Sequence, residues 1–270
     1  IKIISIFGVT GSVGMSTQEL IKMNIKKFKV DTIVANNDLK GLIKAAKYLK
    51  PNLVIVNNDK MFMPLKKSLE GYNIDIASGN DAIIEASKRK VDVFVAAISG
   101  FAGLNSTFNA IGNAKCIALA NKESIVCAGP ILLNKVKNSN TKIIPIDSEH
   151  NTLYQILVNA NIESISKVII TGSGGPFRGF SYKKLKKVTL EEAINHPIWN
   201  MGKKISVDSA TLMNKGLELI EAAYLFNIKQ KNIDIIIHPE SIIHGIVEFK
   251  DGSMNAGLSH PDMKSPISYA

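Results

Sequence analysis

Cysteine is scarce: there are two in 270 residues, Cys116 and Cys127, each among apolar neighbours of β type and expected to be buried. So few exclude a disulfide scaffold and a cysteine-based zinc site, and they fit a reducing compartment. Long apolar runs are lacking too. None approaches the roughly 18 residues of a membrane-spanning helix, and no basic, apolar, small-residue pattern marks a signal peptide. Aromatic residues make up 6% of the chain, with one tryptophan, and they do not interleave with the basic runs as a base-stacking surface requires. The net charge of +10 therefore reads as a dispersed lysine-rich surface, with pairs such as Lys183-Lys184 and Lys186-Lys187 on exposed turns. Its field favours phosphorylated small molecules over nucleic acid or membrane.

What is present is a globular balance of 46% hydrophobic and 21% charged residues, in a length that accommodates two domains. Strand patterns at Lys2 to Phe7, Val30 to Ala35, Leu53 to Val56, Val91 to Ile98 and Cys116 to Leu119 alternate with helical stretches such as Met15 to Met23 and Leu39 to Leu49. Strands spaced by helices in this way imply an α/β, doubly wound parallel sheet over residues 1–150. The pattern then changes. Strand patterns at Val168 to Ile170, Ile233 to Ile237 and Ile242 to Phe249, a hairpin turn at Asp251-Gly252 into Ser253 to Leu258, and helices at Thr152 to Ala160 and Ala210 to Phe226 predict an α+β domain over 151–270. No repeat or low-complexity linker interrupts them.

Gly8-Val9-Thr10-Gly11-Ser12-Val13-Gly14 stands where the first strand ends and a helix begins. Glycines there let backbone N–H groups approach a pyrophosphate at a helix N-terminus. About 20 residues on, an acid would hold the 2′-OH of NAD. Here the second strand ends in Asn36-Asn37, with no carboxylate until Asp38, which favours NADP over NAD.

The apolar run Lys142 to Ile146 leads into Asp147-Ser148-Glu149. On a strand, i and i+2 share a face, and two carboxylates on one face call for a positive partner such as an oxygen-liganded divalent cation. Asp-x-Glu alone is common, and a solvated strand end is the plainer reading of it. Farther on, Ser173 sits in the glycine loop Thr171 to Arg178, either as an oxyanion or phosphate donor or as ordinary loop. Ser209 is placed to N-cap a helix on which Asn214 and Glu218 share a face with Lys215 beside them, while Met213, Leu217 and Ile220 face inward. Trp199 lies in the segment His196 to Gly202, as core or as a cover over a ligand.

These motifs, with Ala118 to Ser124 and His238 to His244, occur in the order found in 1-deoxy-D-xylulose 5-phosphate reductoisomerases, and the sequence resembles that family nearly end to end. The resemblance implies NADPH- and metal-dependent conversion of 1-deoxy-D-xylulose 5-phosphate to 2-C-methyl-D-erythritol 4-phosphate in non-mevalonate isoprenoid synthesis. It implies Asp147, Glu149 and Glu218 as Mg²⁺ or Mn²⁺ ligands, with Glu149 and Lys122 as candidates for proton transfer. Lys122, Ser148, Glu149 and Glu218 would meet the substrate, and Ser173, His196, Ser209, Asn214 and Lys215 its phosphate and hydroxyls. Trp199 and Met201 match a mobile lid. Gly8, Thr10, Gly11, Ser12, Val13, Asn36, Asn37, Asn121, Glu123, Met201 and Gly202 would contact NADPH. The chemistry implied is retro-aldol and aldol rearrangement followed by hydride transfer.

Two departures from the family pattern stand out. A basic residue is usual at the second strand tip, where Asn36-Asn37 stand. The family also continues past Pro261 to Ile267 into a C-terminal helical domain, which a sequence stopping at Ala270 is expected to lack. A homodimer is implied. The rival enzymatic reading is a semialdehyde dehydrogenase, which needs an activated cysteine; the rival of another class is a non-catalytic NADP-binding sensor. Lys/Asn/Ile-rich usage and a start at Ile1 lead to the expectation of a plastid-type organelle (apicoplast) after loss of a targeting segment, with bacterial cytoplasm second.

Overall fold

The computed structural model describes residues 1–195 and 202–270. The chain forms two compact units, 1–146 with 267–270, and 147–266.

The first unit follows the alternation of the sequence: β1 (Lys2–Phe7), α1 (Ser12–Met23), β2 (Phe28–Ala35), α2 (Leu39–Leu49), β3 (Leu53–Val56), α3 (Phe62–Ser68), β4 (Asp75–Ser78), α4 (Gly79–Ser87), β5 (Val91–Ala96), α5 (Leu104–Ala110), β6 (Ala114–Leu119), α6 (Lys122–Lys137) and β7 (Lys142–Pro145). The seven strands lie in the order β4-β3-β2-β1-β5-β6-β7, all neighbours parallel. The order reverses beside β1, and ligands of such sheets bind at the strand ends where it does. The strand interiors (Ile6, Phe7, Ile33, Val54, Ile55, Phe94, Ile117) are fully buried, as expected of parallel strands covered on both faces. Helix α2 shows why these segments are helices: Leu42, Ala45, Ala46 and Leu49 bury one stripe, and the Asp38 side chain caps the start by accepting from the Gly41 N–H.

In the second unit come α7 (Ser148–Leu157), β8 (Ile165–Gly172), α8 (Tyr182–Leu185), α9 (Leu190–Ile194), α10 (Lys203–Ala210), α11 (Met213–Leu225), β9 (Ile233–Ile237), β10 (Ile243–Phe249) and β11 (Met254–Leu258); α12 (Lys264–Tyr269) follows. Its sheet runs β11-β10-β8-β9, with β8 and β9 parallel and the β10 pairings antiparallel. Leu153 and Leu157 of α7 pack with Val168, Ile170, Ala222, Ile233 and Val247 in one core.

Three expectations are corrected. Cys127 is exposed and Cys116 only partly buried on β6; the apolar stretch Ile125 to Ala128 is not a strand but lies inside α6, which carries Cys127 on its wet side. Ser209 lies inside α10, and α11 starts instead after Leu212, held in the left-handed region at φ 62° without a side-chain cap. Met213 and Ile220 are exposed, whereas Lys215, Glu218, Glu221 and Ala222 turn inward.

Candidate active site

Asp147 and Glu149 are not on a strand. β7 ends at Pro145, Asp147 has extended angles (φ −62°, ψ 137°) at the N-cap of α7, and Glu149 is in its first turn. A carboxylate there is favoured by the helix dipole. The cap position and the first turn converge at the helix end, so the pair meets without strand alternation. Glu218 reaches them from α11, and one ligand oxygen from each of Asp147, Glu149 and Glu218 lies within 4.8 Å of the others. Exposures of 14%, 15% and 1% make this a mostly dry cluster.

Cations and donors surround it. Lys215 Nζ donates to Glu149 Oε1 and Glu218 Oε2, each at 2.5 Å, and to Thr171 O at 2.8 Å. Gly172 makes room for it, since a Cβ there would sit 2.9 Å from Lys215 Cε. The Asn214 amide donates to Glu218 Oε1 and the Ser148 hydroxyl to Glu149 Oε2. Burial pushes the Glu149 carboxyl up to about 7, helped by Glu218 and Asp147 and opposed by Lys215. Burial would lower the Lys215 ammonium, but the carboxylates of Glu149 and Glu218 outweigh it and raise its pKa.

Sequence reasoning gave no role to His150 or Glu221, both fully buried. His150 Nδ1 lies 3.2 Å from Asp147 Oδ1 and 3.5 Å from Glu221 Oε2, and Nε2 is 2.9 Å from the Glu218 carbonyl oxygen. The available signal was the spacing Lys215, Glu218, Glu221, a polar stripe on the inward face of an otherwise apolar helix. Asp147, Glu149, Glu218 and Glu221 thus gather four carboxyl groups around Lys215 and His150. Hard carboxylate oxygens suit Mg²⁺ or Mn²⁺, so the residues fit such an ion. Among the described residues this is the His/Cys/Asp/Glu group placed to hold one.

The glycine loop after β8 closes on the same unit. Ser173 Oγ accepts from the Gly175 N–H at 3.2 Å, and a Cβ at Gly175 would lie 2.7 Å from Ser209 O. The loop and Ser209 are thus adjacent, and the Gly172 contact brings Lys215 beside them. His196, Trp199 and Met201 lie outside the described residues. Gly202 is the exposed N-cap residue of α10.

In the first unit, Gly8 has φ 100° and a Cβ there would sit 2.4 Å from Ala97 O; one at Gly14 would sit 2.3 Å from Gly8 O. Gly11 caps α1 with no side-chain hydrogen bond. The first N–H groups of α1, at Ser12 and Val13 beside Thr10, therefore suit a pyrophosphate. Asn36 and Asn37 are exposed at the tip of β2. The Asn121 side chain is engaged in the scaffold: its oxygen accepts from the Ser124 N–H at 2.8 Å and its amide donates to Ile98 O and Gly100 O. Lys122, buried, and Glu123, partly buried, open α6 behind it.

Two family models match, 1-deoxy-D-xylulose 5-phosphate reductoisomerase over residues 4–129 and the C-terminal domain of the same enzyme over residues 143–226. The chain belongs to the 1-deoxy-D-xylulose 5-phosphate reductoisomerase family. It is 44% identical over 266 residues to the reductoisomerase of Zymomonas mobilis, covering 98% of this chain and 69% of that one. Against the Rhodopseudomonas palustris reductoisomerase it is 42% identical over 269 residues, covering all of this chain and 66% of the relative. A crystal structure of a reductoisomerase in complex with NADPH, fosmidomycin and magnesium superposes with a TM-score of 0.95 at 41% identity, over 100% of this chain and 69% of that chain. The doubly wound sheet and the second, mixed sheet are thus the reductoisomerase fold.

Proposed function

We propose that the protein is an NADPH- and divalent-metal-dependent oxidoreductase that converts 1-deoxy-D-xylulose 5-phosphate into 2-C-methyl-D-erythritol 4-phosphate, in isoprenoid synthesis. The observation that carries this reading is the convergence of Asp147, Glu149 and Glu218 in a chain of this family. Asp147, Glu149 and Glu218 would hold Mg²⁺ or Mn²⁺, which when bound would supply Lewis-acid polarisation of substrate oxygens. Residues 8–14 would seat NADPH, whose chemistry there would be hydride donation. Lys215, Asn214, Ser173, Ser209 and His196 take the phosphate and hydroxyls; Ser148 and Lys122 take the carbon backbone; Glu149 and Lys122 hold the protons that move. Trp199 and Met201 cover the substrate and exclude water.

The semialdehyde dehydrogenase alternative is disfavoured by the family match over the chain; burial also pushes the Cys116 thiol up to about 11, away from the thiolate that chemistry needs, and exposure of Cys127 does not by itself activate a thiol. A bare NADP sensor would leave the three-carboxylate cluster without use. The apicoplast address and the homodimer rest on composition and resemblance, and the relatives named above are bacterial proteins. Among the described residues no helix is long and apolar enough to cross a membrane.

The test is NADPH oxidation followed at 340 nm. It should require both 1-deoxy-D-xylulose 5-phosphate and Mg²⁺ or Mn²⁺, stop with EDTA and return with metal. Oxidation that is indifferent to EDTA would overturn the metal assignment.

A further inference from the structure

Four asparagines meet at the tips of β2 and β3. The parallel ladder pairs Ala35 with Val56 and runs on beyond both strands: the Asn57 N–H donates to Ala35 O at 2.9 Å and the Asn58 N–H to Asn36 O at 3.3 Å. Side chains pair in the same register. Asn57 Nδ2 donates to Asn36 Oδ1 at 3.0 Å, and Asn58 Nδ2 to Asn37 Oδ1 at 2.9 Å. A neighbouring backbone group fixes the direction of the second pair. The Lys60 N–H can only donate, and it meets Asn58 Oδ1 at 3.1 Å. Asn58 therefore turns its NH₂ to Asn37, and the Asn37 atom that receives it is the oxygen. With that oxygen engaged, Asn37 presents its own NH₂, a group that only donates, and Asn36 is held the same way by Asn57.

In a doubly wound domain the second strand tip reads the adenosine ribose. A 2′-hydroxyl is best held by a carboxylate, whereas a 2′-phosphate only accepts hydrogen bonds. The nearest carboxylate, Asp38, has its Oδ1 committed to the Gly41 N–H at 2.9 Å, capping α2. One oxygen of that acid is thus already taken by the helix cap, while both asparagine oxygens are taken by their partners.

We propose that Asn57 and Asn58 are positioning residues for cofactor selectivity. They hold Asn36 and Asn37 with N–H groups outward, so that neutral amides take the 2′-phosphate of NADPH where a cationic clamp would otherwise stand. The proposal rests on residues 8–14 being the dinucleotide turn.

The test measures dissociation constants of NADPH and NADH by nucleotide fluorescence. Asn58→Ala should weaken NADPH about 3- to 10-fold, the loss of one hydrogen-bonding arrangement, and change NADH less than about twofold. Asn58→Asp keeps the acceptor for the Lys60 N–H but faces Asn37 with oxygen, so Asn37 must turn over and offer its own oxygen outward. NADPH should then weaken more than about 10-fold, with NADH retained; retained NADH also reports that the variants fold. Variants that keep the wild-type ratio overturn the amide relay. A wild-type protein that shows no preference for NADPH overturns instead the cofactor reading beneath it.

Discussion

Lys215 Nζ lies 2.5 Å from Glu149 Oε1 and spends its other two N–H groups on Glu218 and the Thr171 carbonyl. The ammonium thus sits among the oxygens that would ligate a divalent ion, and it neutralises them when that ion is absent. Lys215→Gln leaves two mostly buried carboxylates without their cation, a loss of about 3–5 kcal/mol in the metal-free protein, or roughly 10 °C in melting temperature. Mn²⁺ should restore most of it. Titration calorimetry without substrate should show the variant binding Mn²⁺ more tightly than wild type, because the ion no longer competes with an ammonium. Equal or weaker affinity would rule out the competition.

Glu149 gives a second test. Its carboxyl is held up at about 7, chiefly by burial, so proton and cation contend for the same oxygens near neutrality. Mn²⁺ affinity should fall about tenfold per pH unit below 7 and level off above it. Glu149→Gln should bind Mn²⁺ weakly with no such slope and lose about 10³-fold in kcat. Its NADPH dissociation constant should stay within about twofold, since the glycine turn belongs to the first unit. An unchanged kcat would remove Glu149 from the site.

The strands of the first unit were legible because parallel strands buried on both faces read as plain apolar runs. β4 was not, since Asp75-Ile76-Ala77-Ser78 is short, partly exposed and weakly apolar. The metal residues were legible as carboxylates, but strand alternation is not what brings them together. Asp147-Ser148-Glu149 follows an apolar run directly, and only the fold shows that the strand stops at Pro145. Glu221 escaped notice because Met213 and Ile220, the apolar residues that suggest the buried side of α11, face water instead; His150 escaped it because a strand reading of Asp147 to Glu149 hides that it sits in the first turn of α7. The pairing of Asn57 and Asn58 with Asn36 and Asn37 depends on the β2–β3 register, which no local pattern states.

Asp31 anchors the first unit. Its carboxylate accepts from Arg89 Nε at 2.6 Å and Nη2 at 2.9 Å, and from Asn52 and Thr32 at 2.8 Å each. Burial pushes this carboxyl up, but the hydrogen bonds from Arg89, Asn52 and Thr32 together hold it below its usual 3.8. A depressed carboxyl stabilises the fold above its unfolded pKa and loses that contribution as pH falls through the folded one. Arg89 is 44% exposed, which screens the pair. Asp31→Asn should therefore cost about 2 kcal/mol at pH 7, read from urea melts, and the gap to wild type should narrow once pH falls below the ordinary 3.8 and close as it passes the lowered folded-state value. A gap that persists in acid would mean that packing, not charge, carries the effect.

His150 faces oxygen acceptors at both ring nitrogens: Asp147 and Glu221 at Nδ1, the Glu218 carbonyl at Nε2. Each nitrogen must carry a hydrogen, so the ring is an imidazolium. Burial alone would lower its pKa, but the carboxylates of Glu221 and Asp147, with Glu218, outweigh burial and hold it up at about 9 against an ordinary 6.5. Because the folded state keeps the proton more tightly, the stabilisation is complete below about pH 6.5 and is lost as pH rises through 9. The metal-free protein should lose about 3 kcal/mol between pH 7 and 10 from this group. His150→Gln should remove that share of the decline while lowering stability at pH 7. Nitrogen-15 spectra at pH 7 should show both ring nitrogens protonated in wild type. A neutral ring at that pH would overturn the assignment, because one nitrogen would then face an oxygen with a lone pair and no proton between them.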